Sequence, residues 1–255
     1  MTPYYQDEAV TIYHGDCREV LPDLPPVDLL LTDPPFFMPV THYASRTEWP
    51  KSWGDMSVLA VWFGVILDAA KPHMKPTASA VVFCDGPSYA VFFPEVFRRF
   101  GSVKALVWDK CHFGMGAPWR KQHELLIVGR DADSKWTGPK NLPDILRAKT
   151  VPSDDRQHPV DKPDAILRQL IEPLTEAGDT VLDPFCGGGS TLFAAKQTGR
   201  KAVGVEIEER YCELAARRCS QEMDFGNANA GLEPRGNRVG SEPLLADSES
   251  HTKGK

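Results

Sequence analysis

The chain is predicted to be an α/β protein with a mostly parallel sheet and an antiparallel edge strand. Three observations carry that prediction. Short apolar runs alternate with stretches of helical period. Two of the runs end in an acid followed by proline, at Asp33-Pro34 and Asp183-Pro184. A glycine loop, Gly187-Gly188-Gly189, separates one strand from the helix that follows it.

Val10 to Tyr13 reads as the first strand, followed by His14-Gly15-Asp16-Cys17. Cys17 to Leu24 suits a short helix, stopped by Pro25-Pro26. Val27 to Thr32 is apolar and bounded by prolines, so it reads as a buried strand that delivers Asp33 to the sheet edge. Phe37 to Met56 has no period and is expected to be a loop. Val58 to Met74 is expected to be helical, Pro76-Thr77-Ala78 a turn, and Ala80 to Cys84 a strand. Tyr89 to Phe100 is a second helix, bent or started at Pro94, and Val103 to Trp108 and Glu124 to Val128 are two more strands. Their connection is Gly-rich, basic and aromatic, and far longer than the roughly 2–5 residues of a plain hairpin. Pro163 opens a helix reaching Leu174, with apolar residues at helical spacing. Thr180 to Leu182 and Ala202 to Val205 are strands that flank a helix from Thr191 to Gln197, and Arg210 to Met223 is the last helix. Residues 1–220 thus form one domain, with a short insert at 131–157. Residues 221–255 are rich in Gly, Asn, Ser and Glu and are expected to form a disordered tail.

The net charge of −6 argues against a protein that coats nucleic acid over its whole surface, but binding follows the charge of the footprint. From Lys110 to Arg168 there are eleven basic and eight acidic side chains, so that region is locally positive. Basic and aromatic residues interleave at Arg46, Lys51 and Trp53 and again at Lys110, Arg120 and Lys121, a mixture suited to phosphate contact and base stacking. No stretch approaches the roughly 20 apolar residues of a membrane span, and the N-terminus has no basic and apolar signal pattern. The six cysteines form no CxxC pair and are expected to be thiols of a reducing, cytoplasmic compartment. Cys111, His112 and His123 are too loosely spaced for zinc, so no metal is expected.

The stretch from Thr180 to Glu206 runs strand, glycine loop, helix, strand, acid. Glycines let backbone approach a ligand closely, and an acid at the next strand end can accept from a ribose diol. No Lys-Ser or Lys-Thr follows the glycines, which excludes a Walker phosphate loop. Asp183 at the head of the loop repels pyrophosphate and favours a cationic sulfonium or amino-acid moiety.

Asp33-Pro34-Pro35-Phe36 resembles the catalytic tetrapeptide of the DNA amino-methyltransferases, and Asp183 through Thr191 resembles their S-adenosylmethionine loop. His158-Pro159-Val160-Asp161-Lys162-Pro163 resembles the segment before that loop. Gly15-Asp16-Cys17 and the stretch from Trp108 through Glu124 also match. The catalytic motif comes first, the order of the β group, so the resemblance implies a circularly rearranged Rossmann-like methyltransferase sheet. It also implies S-adenosylmethionine as cofactor, double-stranded DNA as partner, and a prokaryotic or phage-infected cell; a homodimer is possible.

Carried over residue by residue, the resemblance assigns catalysis to Asp33, Pro34, Pro35 and Phe36. It assigns cofactor contacts to Asp16, Cys17, Asp33, Lys162, Asp183, Pro184, Phe185, Cys186, Gly187, Gly188, Gly189, Thr191, Glu206 and Ile207. In that scheme Lys162 holds the methionine carboxylate, Glu206 the ribose and Asp16 the adenine end. Phe36 stands where Tyr is commoner, and the recognition insert is short. No Pro-Cys dipeptide occurs, which argues against C5-cytosine chemistry and leaves adenine N6, favoured by Asp33, or cytosine N4. A silent methyltransferase-like binding subunit is the competing class. RNA or a protein glutamine is a competing substrate.

Overall fold

The computed structural model describes residues 1–37, 55–114, 117–152 and 161–221. Arg46, Lys51, Trp53, the His158-Pro159-Val160 segment, the end of the insert and the C-terminal tail lie outside the described residues. The sheet has nine strands in the order β1-β2-β9-β8-β3-β4-β6-β5-β7. These are β1 (Tyr5–Gln6), β2 (Val10–His14), β3 (Val27–Thr32), β4 (Met74–Cys84), β5 (Ser102–Asp109), β6 (His123–Arg130), β7 (Ile145–Arg147), β8 (Thr180–Asp183) and β9 (Lys201–Glu206). The inner strands β2, β9, β8, β3 and β4 run parallel to one another. β6 is antiparallel to both β4 and β5.

The alternation of side chains on buried strands sorts two cores. Leu29, Leu31, Val81 and Phe83 face one way, against Ile166, Leu170, Leu192 and Cys212 from α4 (Asp164–Ile171), α5 (Ser190–Gln197) and α6 (Glu209–Ser220). Leu30, Ala80, Val82 and Ile127 face the other way, against Leu21, Phe63, Leu67 and Phe92. Those residues lie on or beside α1 (Cys17–Val20), α2 (Met56–Ala70) and α3 (Gly86–Phe97). β3 is buried along its whole length, which is why its sequence is apolar without alternation. Its one acid, Asp28, pairs with Lys75 at 2.8 Å and accepts from the Thr180 amide at 3.0 Å.

Several boundaries differ from the expectations. Pro76-Thr77-Ala78 is not a turn between elements but lies inside β4, where the register with β3 slips. Proline has no ladder donor, so it sits where the pairing is already broken. α2 starts at Met56, capped by Asp55, whose side chain accepts from the Ser57 amide. α3 starts at Gly86, where Asp85 caps it through the Ser88 amide, and Pro94 lies inside the helix. The antiparallel β5–β6 pair is not itself the sheet edge, because β7 adds parallel to β5. At the other edge, β1 is the antiparallel strand.

The chain leaves β3 toward β4 on one side and leaves β8 toward β9 on the other. β3 and β8 are neighbours, so the crevice at their carboxyl ends is a topological switch point, the usual ligand site of open α/β sheets.

Candidate active site

Four adjacent parallel strands, β2, β9, β8 and β3, each end at or just before an acid: Asp16, Glu206, Asp183 and Asp33. The central pair is joined across the switch point, where the Thr32 hydroxyl donates to Asp183 Oδ1 at 2.9 Å. Asp183 also accepts from the Phe185 amide at 3.1 Å and from Thr191. Burial nevertheless outweighs these bonds and pushes its carboxyl up to about 7. A buried carboxyl held this high lacks a positive charge, and a cationic ligand would supply one.

The glycine loop is shaped by packing as well as by its opening. Gly187 and Gly189 have positive φ, and Gly189 is the N-cap of α5. A Cβ on Gly189 would lie 2.8 Å from that of Ala215, so no side chain fits between α5 and α6 there. Glu206 binds the loop to β9 by accepting from the Gly187 amide at 3.0 Å, and its other oxygen takes the Glu208 amide at 2.8 Å. Burial holds the Glu206 carboxyl above its usual range against these bonds. Phe185 packs its ring 5.4 Å from that of Trp62, and Ile207 is exposed. Pro184, Cys186 and Gly188 are buried beneath the loop, as is Cys17 beside Asp16.

Asp33 ends a chain of alternating charges. Its Oδ2 pairs with the Lys162 ammonium, which also lies 3.4 Å from Glu124 Oε2. Lys110 in turn pairs with Glu124 Oε1 at 2.6 Å. Asp33 Oδ1 is buried and has no hydrogen-bond partner among the described residues. Burial raises the Asp33 carboxyl above its usual range; Lys162 opposes the rise and Glu124 adds to it. Burial likewise disfavours the Lys162 charge, but Asp33 and Glu124 outweigh it and hold the ammonium charged. Phe36 is half-buried against both cores, and the Lys162 ammonium lies 5.8 Å from its ring centre.

Asp33, Phe36, Asp183, Thr191, Glu206 and the glycines therefore meet at one sheet edge, as the sequence predicted. Three expected residues are differently engaged. Lys162, expected on a ligand carboxylate, is committed to Asp33 and Glu124. Lys110, expected on a nucleic-acid face, turns inward to Glu124. Asp16 caps α1 through the Arg18 amide and pairs with the Arg18 guanidinium. Arg120 and Lys121 do lie exposed on the β5–β6 loop, at the same edge because β6 begins where β4 ends. Beside them Trp119, the aromatic residue of that Gly-rich, basic stretch, is 91 % exposed. Glu124 lies at the end of the matching stretch from Trp108, but its pairing with Lys162, 38 positions on, gives it a place in the site that no local signal shows.

The family model for DNA methylases of the N6/N4 type matches residues 27–217. The chain is 33 % identical over 225 residues to YubD of Escherichia coli (strain K12), covering 84 % of this chain and 93 % of that one. It is 24 % identical over 252 residues to the DNA adenine methyltransferase YhdJ of the same organism, covering 84 % of each. Among solved structures, the cytosine-N4-specific PvuII DNA methyltransferase superposes with a TM-score of 0.71 at 19 % identity, over 90 % of each chain. The complex of M1.HpyAVI with S-adenosylmethionine superposes with a TM-score of 0.64 at 24 % identity, over 83 % of this chain and all of that one. With the family match spanning most of its length, and a relative one-third identical over more than four-fifths of each chain, this chain belongs to the N6/N4 family of DNA methylases.

Proposed function

We propose that the chain transfers a methyl group from S-adenosylmethionine to the N6 amine of an adenine flipped out of duplex DNA. The observation that carries the reading is Asp33 Oδ1, a buried acceptor with no partner among the described residues, beside a glycine loop headed by the buried carboxyl of Asp183. A buried acceptor left open in this way is costly unless a ligand fills it.

The loop fits that cofactor: Asp183 and the Gly187–Gly189 backbone suit a cationic methionine end, and Glu206 suits a ribose diol. Bound there, the cofactor would supply a methyl group made electrophilic by its sulfonium; as the S–C bond breaks and the N–C bond forms, the sulfur would be left as a neutral thioether. The chain's own part is positional. An exocyclic amine is a weak nucleophile because its lone pair is delocalised into the ring. Asp33 Oδ1 accepts one N–H of the amine and the Pro34 carbonyl a second, which localises the pair for in-line attack. Asp33 or water takes the proton released when the new N–C bond forms. Preorganised acceptors and orientation supply the rate, with no covalent enzyme intermediate. Phe36 stacks on the extruded base, which cannot be reached inside a helix.

Arg120, Lys121 and Trp119 belong to the DNA face, and so, by sequence alone, do Arg46, Lys51 and Trp53. The choice of adenine over cytosine rests on the acidic first residue of the tetrapeptide. The test is to incubate the protein with the cofactor and unmethylated genomic DNA, digest it, and identify the methylated nucleoside by mass spectrometry. N6-methyladenine is expected. N4-methylcytosine would overturn the base, and no methylated nucleoside with cofactor bound would overturn the DNA reaction in favour of a silent subunit or another substrate.

A further inference from the structure

The reaction as proposed makes no use of Glu124, yet Glu124 holds together the densest charge cluster of the site. Four side chains from separate stretches of the chain alternate in sign. Lys110 follows β5, Glu124 lies near the start of β6, Lys162 precedes α4 and Asp33 follows β3. Glu124 takes Lys110 on one oxygen at 2.6 Å; its other oxygen makes no hydrogen bond among the described residues and faces the Lys162 ammonium as an ion pair at 3.4 Å. All are mostly shielded, with side-chain exposures of 22, 16, 7 and 18 % in the order Lys110, Glu124, Lys162, Asp33. The Lys162 ammonium is enclosed further by the Phe83 ring, 5.0 Å away. Its neighbour Asp161 is clamped by Arg218 of α6 at 2.7 and 3.0 Å, so the backbone that presents Lys162 is anchored independently.

A buried ammonium facing a single carboxylate is free to lie across both of its oxygens. A second carboxylate on another side draws it off. In this site Lys162 bonds only Oδ2 of Asp33, and Oδ1 stays open. Two cations and two anions also leave the cluster neutral, so Asp33 can remain an anion away from bulk water.

We propose that Glu124 is a positioning residue of the reaction: it anchors the Lys162 ammonium so that Lys162 bonds Asp33 through Oδ2 alone and leaves Oδ1 to receive the substrate amine. The inference rests on Asp33 as the acceptor in the proposed function. It gives Lys162 a role in holding the catalytic carboxylate in place of one on the cofactor.

The test compares wild type with Glu124→Gln, which keeps shape and loses charge, and Lys162→Met. The groups that face Asp33 are Lys162, Glu124, Lys110, Asp183 across β8 and the Cys84 thiol at the end of β4. Removing the Glu124 charge takes a negative neighbour away from Asp33, so the acidic limb of the single-turnover rate moves to lower pH. Removing the Lys162 charge moves it to higher pH. Both variants should lose rate, on the order of 10²-fold for a misplaced reacting group, with cofactor affinity by calorimetry within about twofold of wild type. A carboxyl-carbon NMR titration of Asp33 reads the same opposed shifts without turnover. If wild type methylates nothing, the functional reading falls and this titration alone decides the coupling. Shifts of the same sign in both variants would overturn the inference. So would an unchanged Asp33 titration in Glu124→Gln, or a rate loss that follows a lowered melting temperature and recovers on cooling.

Discussion

At the scale of single residues, Asp183 shows function set against stability. The fold buries this carboxyl with hydrogen bonds but no cation among the described residues, and burial pushes it up to about 7. Its folded pKa lies above the unfolded value, so the folded state holds this proton more tightly and stability falls as pH rises from about 4 toward 7. Asp183→Asn removes that cost. At pH 8 the cost has reached nearly the full difference between about 4 and about 7, so the gain is about 4 kcal/mol, or roughly 8–16 °C in melting temperature for a protein of this size. At pH 4, near the unfolded pKa, both states hold much of the proton and the gain should nearly vanish. The same substitution should abolish cofactor binding. Wild-type affinity for S-adenosylmethionine should strengthen as pH rises toward 7 and level off above it, since a bound cation favours the ionised form. The thioether product lacks the sulfonium charge and should show a weaker dependence. Thermal scans and calorimetry at both pH values check these outcomes, and a gain independent of pH would sink the assignment.

At the scale of elements, what could be read in advance depended on how local the signal was. β3, β8 and β9 are apolar runs with an acid at or beside the end, and their burial is dictated by that pattern. Asp33, Asp183 and Glu206 were therefore legible as edge residues before any contact was known. β1 and β7 have two and three residues, too few to carry a period, and they form by pairing with strands already in place. The Asp33–Lys162 pair was not legible either, since the two are 129 positions apart and only the sheet order brings them together. The segment that carries Lys162 depends on α6. Arg218, 12 % exposed, makes two bonds to Asp161, 5 % exposed. Arg218→Ala takes away that bidentate partner and should cost roughly 3 kcal/mol, the penalty of breaking a buried pair. Urea unfolding reads that loss. Single-turnover methyl transfer at low urea should also slow, because Lys162 loses its anchored backbone; an unchanged rate would mean that α6 supports the fold but not the site.

For the whole molecule the question is how a chain of net charge −6 holds a polyanion. A small footprint at the catalytic edge, rather than a charged surface at large, is enough to do so. On the β5–β6 loop, Arg120 bonds the Gly114 carbonyl, Lys121 is 71 % exposed near Asp85, and Trp119 stands out into solvent. The cations and the ring should leave different marks on binding. Removing one phosphate-binding cation lowers the slope of log affinity against log salt by about 0.9, so Arg120→Ala with Lys121→Ala should flatten it by roughly 1.8, equally for any DNA sequence. Trp119→Ala removes a stacking surface worth roughly 1–3 kcal/mol, which should weaken binding by about tenfold or more and leave the slope unchanged. Neither change touches the glycine loop, so cofactor affinity should stay at the wild-type value. Fluorescence anisotropy with a labelled duplex over a salt series separates the two effects. If the double variant keeps the full slope, the phosphates are held by other cations, with Arg46 and Lys51 the first to substitute. If Trp119→Ala changes the slope and not the affinity at fixed salt, the ring is not a stacking group and the loop acts through its charge alone.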